Sequence, residues 1–114
     1  MFQIIYADEA VEQLNQLDKP SRNKILKAVD IFEQFGKEDN NSRSLKNGLW
    51  EFKADNVRAY FKYHKDKIII IGLIVLKKTQ KAPERFIQQA IRNIDKVIKE
   101  LNGEFSLSDD NSKT

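Results

Sequence analysis

The chain has 114 residues, no cysteine and a formal net charge of +3. That length supports one domain with a single modest core, and the missing thiols exclude a disulfide framework or a thiolate metal site. No apolar run reaches the roughly 18 residues of a membrane span, and the N-terminus lacks the basic-then-apolar order of a signal peptide, so a cytoplasmic protein with no membrane partner is expected.

Met1 to Tyr6 alternates Phe2, Ile4 and Tyr6 against Gln3 and Ile5, the pattern of a short edge strand. Asp8 fits the N-cap of a helix, in which Val11, Leu14 and Leu17 recur at helical spacing. After a break at Asp18-Lys19, Pro20 suits the first turn of a second helix. Ile25, Val29, Phe32 and Phe35 form its apolar stripe, widened by Leu26, Ala28 and Ile31, and Gly36 suits its C-terminal cap. The two helices are expected to form a hairpin covering one face of a sheet. Lys37 to Asn47 is polar and is expected to be a surface loop ending near Arg43 and Lys46.

The stretch from Leu49 to Pro83 organises the rest. Leu49–Lys53, Val57–Tyr63 and Ile68–Leu76 are rich in β-branched and aromatic residues. Asp55-Asn56 and Lys65-Asp66-Lys67 are short enough for hairpin turns, so three antiparallel strands are predicted. Trp50, Phe52 and Ala54 share one face of the first, with Leu49, Glu51 and Lys53 opposite. Val57, Ala59, Phe61 and Tyr63 share one face of the second, with Arg58, Tyr60, Lys62 and His64 opposite. The polar sides are expected to combine into an exposed surface carrying Lys53, Arg58, Tyr60 and Lys62. The third run has no polar residue before Lys77, as a central strand covered on both sides requires. Pro83 opens a last helix in which Ile87, Ala90, Ile91, Ile94, Ile98 and Leu101 mark one buried stripe. Gly103 suits its end. Residues 1–102 are thus expected to form the domain, and 103–114 a disordered, polar and acidic tail.

Charge is unevenly placed. Residues 43–85 carry eleven lysines and arginines against four acids, whereas residues 1–42 carry five against eight. A basic sheet surface attracts polyanions, nucleic acid above all; a solvated lysine-rich surface is the plain structural alternative. One histidine and scattered acids do not suit a zinc or two-metal site, so no cofactor is expected.

Gly48-Leu49-Trp50-Glu51-Phe52, then Lys77-Lys78-Thr79-Gln80-Lys81-Ala82-Pro83 before a helix bearing Ala90, occur here within a β-α-α-β-β-β-α order. Across residues 1–101 the chain resembles the RelE/ParE toxin superfamily, and within it the phage-related HigB-like toxins. The resemblance implies an α+β fold: a small, mostly antiparallel four-stranded sheet packed by an N-terminal helical hairpin and a C-terminal helix. It implies a ribosome-dependent messenger RNA endonuclease, restrained by a cognate helix-turn-helix antitoxin of the HigA type. ParE-like relatives instead inhibit DNA gyrase by binding, and a relative with decayed catalysis would only bind nucleic acid or antitoxin.

Metal-independent RNA cleavage needs a base for the ribose 2′-OH, donors for the phosphorane and an acid for the leaving oxygen. By the resemblance, Arg58 and Lys53 take the positions of a catalytic arginine and a catalytic lysine, and Lys78 that of a basic residue closing the last strand. Arg58 and Lys78 are expected to stabilise the phosphorane, Arg58 through paired hydrogen bonds, and Lys53 to act as the base. Lys77, Lys62, Lys81, Lys46 and Arg43 are expected to contact RNA. Tyr60 is expected to stack on a base in place of a tyrosine that RelE carries in its last helix, where this chain reads Arg85-Phe86-Ile87. Trp50 and Tyr63 are assigned to the core, His64 to a solvated strand end, and Glu51 to an ion pair with Lys53 or Arg58. Deleting residues 104–114 should leave both cleavage and the urea-unfolding midpoint unchanged; a large loss of either would mean that the tail docks.

Overall fold

The computed structural model describes residues 2–35, 42–77 and 81–103. Five strands, β1 (Gln3–Tyr6), β2 (Ser42–Ser44), β3 (Trp50–Ala54), β4 (Val57–His64) and β5 (Ile68–Leu76), join three helices, α1 (Asp8–Gln16), α2 (Lys19–Phe35) and α3 (Glu84–Leu101). The sheet runs β1-β5-β4-β3-β2. It is antiparallel except for β1, which pairs parallel to β5. The α+β class and the mostly antiparallel sheet agree with expectation; β2 adds a fifth strand. It lies inside the stretch read as a loop, because Ser-Arg-Ser has no apolar alternation to reveal it.

The two tight turns fall where the polar dipeptide and tripeptide sit. Ala54 pairs with Val57 around Asp55-Asn56, and His64 with Ile68 around residues 65–67. Asp55 and Lys65 take positive φ values of 59° and 56°, and an aspartate tolerates that region better than most side chains.

Both faces of the sheet are covered. On one, Phe32 of α2 meets Phe52 and Phe61, each at 5.3 Å between ring centroids, and Phe2 and Tyr63 close the cluster. Such pairs add about 0.5–1.5 kcal/mol each beyond their buried area. The stripe Ile25, Val29 and Phe32 is buried as predicted, whereas Leu26 and Ile31 face solvent. α1 does not join α2 in a simple two-helix layer. It lies along β5 beyond the end of β1, where Gln13 Oε1 accepts the Ile74 N–H at 2.8 Å, and its Glu9 accepts hydrogen bonds from Gln89 and Asn93 of α3, both at 2.7 Å. Ala10, rather than Val11, is its fully buried residue. Its N-cap is Ala7, with Asp8 already inside the first turn, where a negative charge suits the helix dipole. Asp18 caps α2 by accepting the Ser21 N–H.

α3 covers the second face through Ile87, Ala90, Ile94 and Val97. Its close approach requires Gly72. β4 and β5 slip register there, with Tyr60 opposite Leu73 but Phe61 opposite Ile71, so Gly72 is the extra residue of a bulge. A Cβ at Gly72 would lie 2.6 Å from the Ala90 carbonyl oxygen and 2.7 Å from Ile94 Cγ1. Because α3 covers β4, the polar side of that strand is not the open surface expected: Tyr60 is 0% exposed and Arg58 5%. Gly36, residues 37–41, Lys78 and the 104–114 tail lie outside the described residues. Gly72→Ala should destabilise the fold by about 1–3 kcal/mol, the usual range for overpacking, read as a lowered urea midpoint with an unchanged slope.

Candidate functional site

Cross-strand partners project from the same face of a sheet, so the register assembles the site. On the α3 side, Arg43, Glu51 and Tyr60 form one row across β2, β3 and β4. Lys53 and Arg58 form the next, directly opposite one another, about 7 Å further along the strands.

The first row is built around a buried carboxylate. Glu51 is 4% exposed. Its Oε1 accepts from Arg43 Nε and its Oε2 from Lys77 Nζ, both at 2.8 Å. The Lys77 side chain is 4% exposed as well, and its Nζ also donates to the Lys81 carbonyl at 3.0 Å. Burial by itself would raise the Glu51 pKa, but the donors Lys77 and Arg43, the adjacent Tyr60 hydroxyl and the charge of Lys77 outweigh it and hold the carboxyl below its ordinary value. The Tyr60 hydroxyl is enclosed beside this carboxylate without full hydrogen-bond geometry to any group. Burial, then the neighbouring Glu51, raise its pKa strongly, so it stays a neutral phenol. Its ring lies 6.3 Å from that of Phe86. Tyr60 is therefore a core residue in this structure, not an exposed stacking platform, and Glu51 pairs with Arg43 and Lys77, not with Lys53 or Arg58.

In the second row Arg58 is anchored by its own turn. Nη1 donates to the carbonyls of Asp55, at 2.5 Å, and Val57, at 3.2 Å. The Asp55 carboxylate is occupied elsewhere, by Lys24 at 2.6 Å. Two carbonyls fix the guanidinium without neutralising it. Its Nε and Nη2 make no further protein hydrogen bond among the described residues. Lys53, opposite, is exposed, and also borders a shallow groove with Lys24, Lys27 and Ile31.

The remaining cations are spread out. Lys46 pairs with Glu84 at 2.6 Å in an exposed bridge. Lys81 is exposed. Lys62 is four residues from Arg58 along β4, about 13 Å, and lies near Gly48. His64 is six residues from Arg58, about 20 Å; its Nε2 is enclosed with no hydrogen-bond partner, so it is not the solvated side chain expected. The structure thus brings together Lys53 with Arg58, and Arg43 with Lys77. Lys46 and Lys62 stay at the rim, and Lys78 is outside the described residues. Glu51 as an organiser was missed, although its alternation puts it on the same side as Lys53. Among the described residues no three His, Cys, Asp or Glu side chains gather as metal ligands, and no helix is long and apolar enough to cross a membrane.

A family model described as phage-derived protein Gp49-like (DUF891) matches residues 12–95. The chain belongs to this Gp49-like family. The match runs from the second half of α1 through α2 and all of β2 to β5 into α3. A search of the curated proteins gave no significant match. Among solved structures, the isolated Escherichia coli RelE toxin is similar, with a TM-score of 0.59 at 9% identity, over 78% of this chain and 98% of that one. A chain of the intact E. coli RelBE toxin–antitoxin complex is also similar, with a TM-score of 0.56 at 12% identity, over 70% of this chain and 100% of that one. A RelB–RelE antitoxin–toxin complex from Methanococcus jannaschii gives 0.54 at 13% identity, over 63% and 88%. This Gp49-like chain therefore has the RelE fold.

A carboxyl whose folded pKa is lowered stabilises the protein above its unfolded value of 4.5, and that stability is lost as pH falls through the folded value. Glu51→Gln should remove the part of the acid-side loss due to this group. At pH 7 the substitution should cost about 3–5 kcal/mol, because it breaks the buried Glu51–Lys77 pair by removing one partner. Urea unfolding of both proteins between pH 3 and 7 measures both effects.

Proposed function

We propose that this Gp49-like protein is the toxin of a type II toxin–antitoxin pair, a ribosome-dependent endonuclease that cleaves messenger RNA by attack of the ribose 2′-OH. The observation that carries the reading is the direct pairing of Lys53 with Arg58 on one face of a RelE fold. Toxin and antitoxin are the partners named for two similar structures, and a HigA-like helix-turn-helix antitoxin is the proposed partner here, with the ribosome and its message in the cytoplasm as target.

The chemistry follows from the two rows. Arg58 is held by turn carbonyls and only 5% exposed. Its Nε and Nη2 edge, which makes no hydrogen bond among the described residues, is the proposed phosphate contact once the surface above it opens to substrate, two parallel N–H donors matching two phosphoryl oxygens. The donors gain most as charge builds on the phosphorane, which is where stabilisation accelerates the step. Lys53, across the strand, is the candidate to take the 2′-OH proton, and Lys78 is proposed as a second phosphorane donor; the P–O5′ bond breaks, leaving a 2′,3′-cyclic phosphate and a 5′-OH protonated by solvent. Arg43, Lys62, Lys46 and Lys81 supply a cationic rim for the flanking backbone. The required 2′-OH makes DNA an inert substrate.

Inducing the protein and mapping transcript 5′ ends tests this reading. Cuts inside translated frames are expected; intact transcripts with DNA damage would replace it by gyrase inhibition, and unaffected growth by a decayed binding relative. Arg58→Ala should abolish cuts and toxicity while keeping a folded spectrum, whereas Lys46→Ala, which breaks only an exposed bridge, should reduce cleavage less than Lys78→Ala. Equal effects of Lys46 and Lys78 would mean diffuse attraction instead of a site.

A further inference from the structure

Two residues of the site hang on the same turn. The Lys77 N–H donates to the Asn56 carbonyl at 2.8 Å, and Arg58 Nη1 donates to the Asp55 carbonyl next to it. Lys77 is fixed at its other end, since Nζ is divided between Glu51 Oε2 and the Lys81 carbonyl. A continuous chain of contacts thus runs from Glu51 on β3, through Lys77, to the 55–56 turn and the Arg58 guanidinium. Glu51 has a second anchor in Arg43 on β2, which holds the carboxylate independently of Lys77.

We propose that Glu51 is a positioning residue that sets the Arg58 guanidinium through Lys77 and the 55–56 turn. Lys77, one of the expected RNA contacts, then serves the site from inside the fold rather than by meeting RNA. The inference rests on the nuclease reading for its effect on rate, but not for its effect on Arg58. Positioning works through geometry: Arg58 must present its donors where the phosphorane oxygens will be, and a displacement of about 1 Å costs about 100-fold in rate.

Two variants and two measurements test it. Lys77→Met leaves Glu51 paired with Arg43, and the double change Glu51→Gln with Lys77→Met removes both buried charges, so each avoids an isolated buried ion. Side-chain NMR of Arg58 reads guanidinium rotation, which its Nη1 hydrogen bonds hinder in the parent protein. Cleavage on programmed ribosomes gives kcat and KM separately. In whichever variant is folded by its amide spectrum, kcat should fall about 100-fold with KM little changed, and the Arg58 Nη signals should merge. Arg43→Gln, which leaves the Lys77 link in place, should keep them resolved. A folded variant with parental kcat, or with Arg58 signals unchanged, overturns the proposal. An inactive parent would sink the nuclease reading alone, and the Arg58 signals would then decide the positioning claim.

Discussion

A carboxylate taken out of water must be met by donors on every side, and here that requirement ties the sheet together. Glu51 is reached by Arg43 from β2 and by Lys77 from the end of β5, strands that are not neighbours in the sheet. Burying an ion pair gives little net stability, because desolvation offsets the Coulomb attraction. What it does give is exclusivity. Any arrangement that leaves either charge enclosed and alone is several kcal/mol worse, so the path of the chain after β5 is specified by charge rather than by apolar packing.

The same face shows how one glycine serves a distant site. The bulge at Gly72 lets α3 approach β5 within the space a methyl group would occupy. That approach seats Phe86 against Tyr60, and Tyr60 forms part of the wall that keeps Glu51 dry. With the carboxylate dry, its bonds to Lys77 and Arg43 are strong. Buried Arg58 and exposed Lys53 lie one row beyond this enclosed centre. A guanidinium held there by neutral carbonyls keeps its full charge, unlike Arg43, whose Nε is committed to a carboxylate.

Alternation and turn chemistry made much of this legible in advance. Strands β3 and β4, their two-residue turn, the central place of β5 and the shared face of Lys53 and Arg58 all follow from period-two patterning, which a single chain records directly. β2 left no such record, since three residues with two serines have no apolar face. Leu26, Ile31 and Val11 are apolar at helical spacing yet exposed, because a helix packed against a narrow sheet buries a thinner stripe than its sequence offers. Alternation also says which side a residue is on, but not whether that side is covered; Tyr60 and Arg58 read as exposed for this reason.

The sequence alone therefore determined the α+β class, the order of elements and the facing of the cations, because these depend on local periodicity and on the conformations that proline, glycine and aspartate prefer. Tertiary structure alone decided which charges remain available. Lys77 is withdrawn into a buried pair, Lys46 into a surface bridge, and Arg58 is fixed to a turn. The Lys77–Glu51 pair brings atoms within about 3 Å from segments 26 residues apart, and nothing in the linear spacing of lysines encodes that distance.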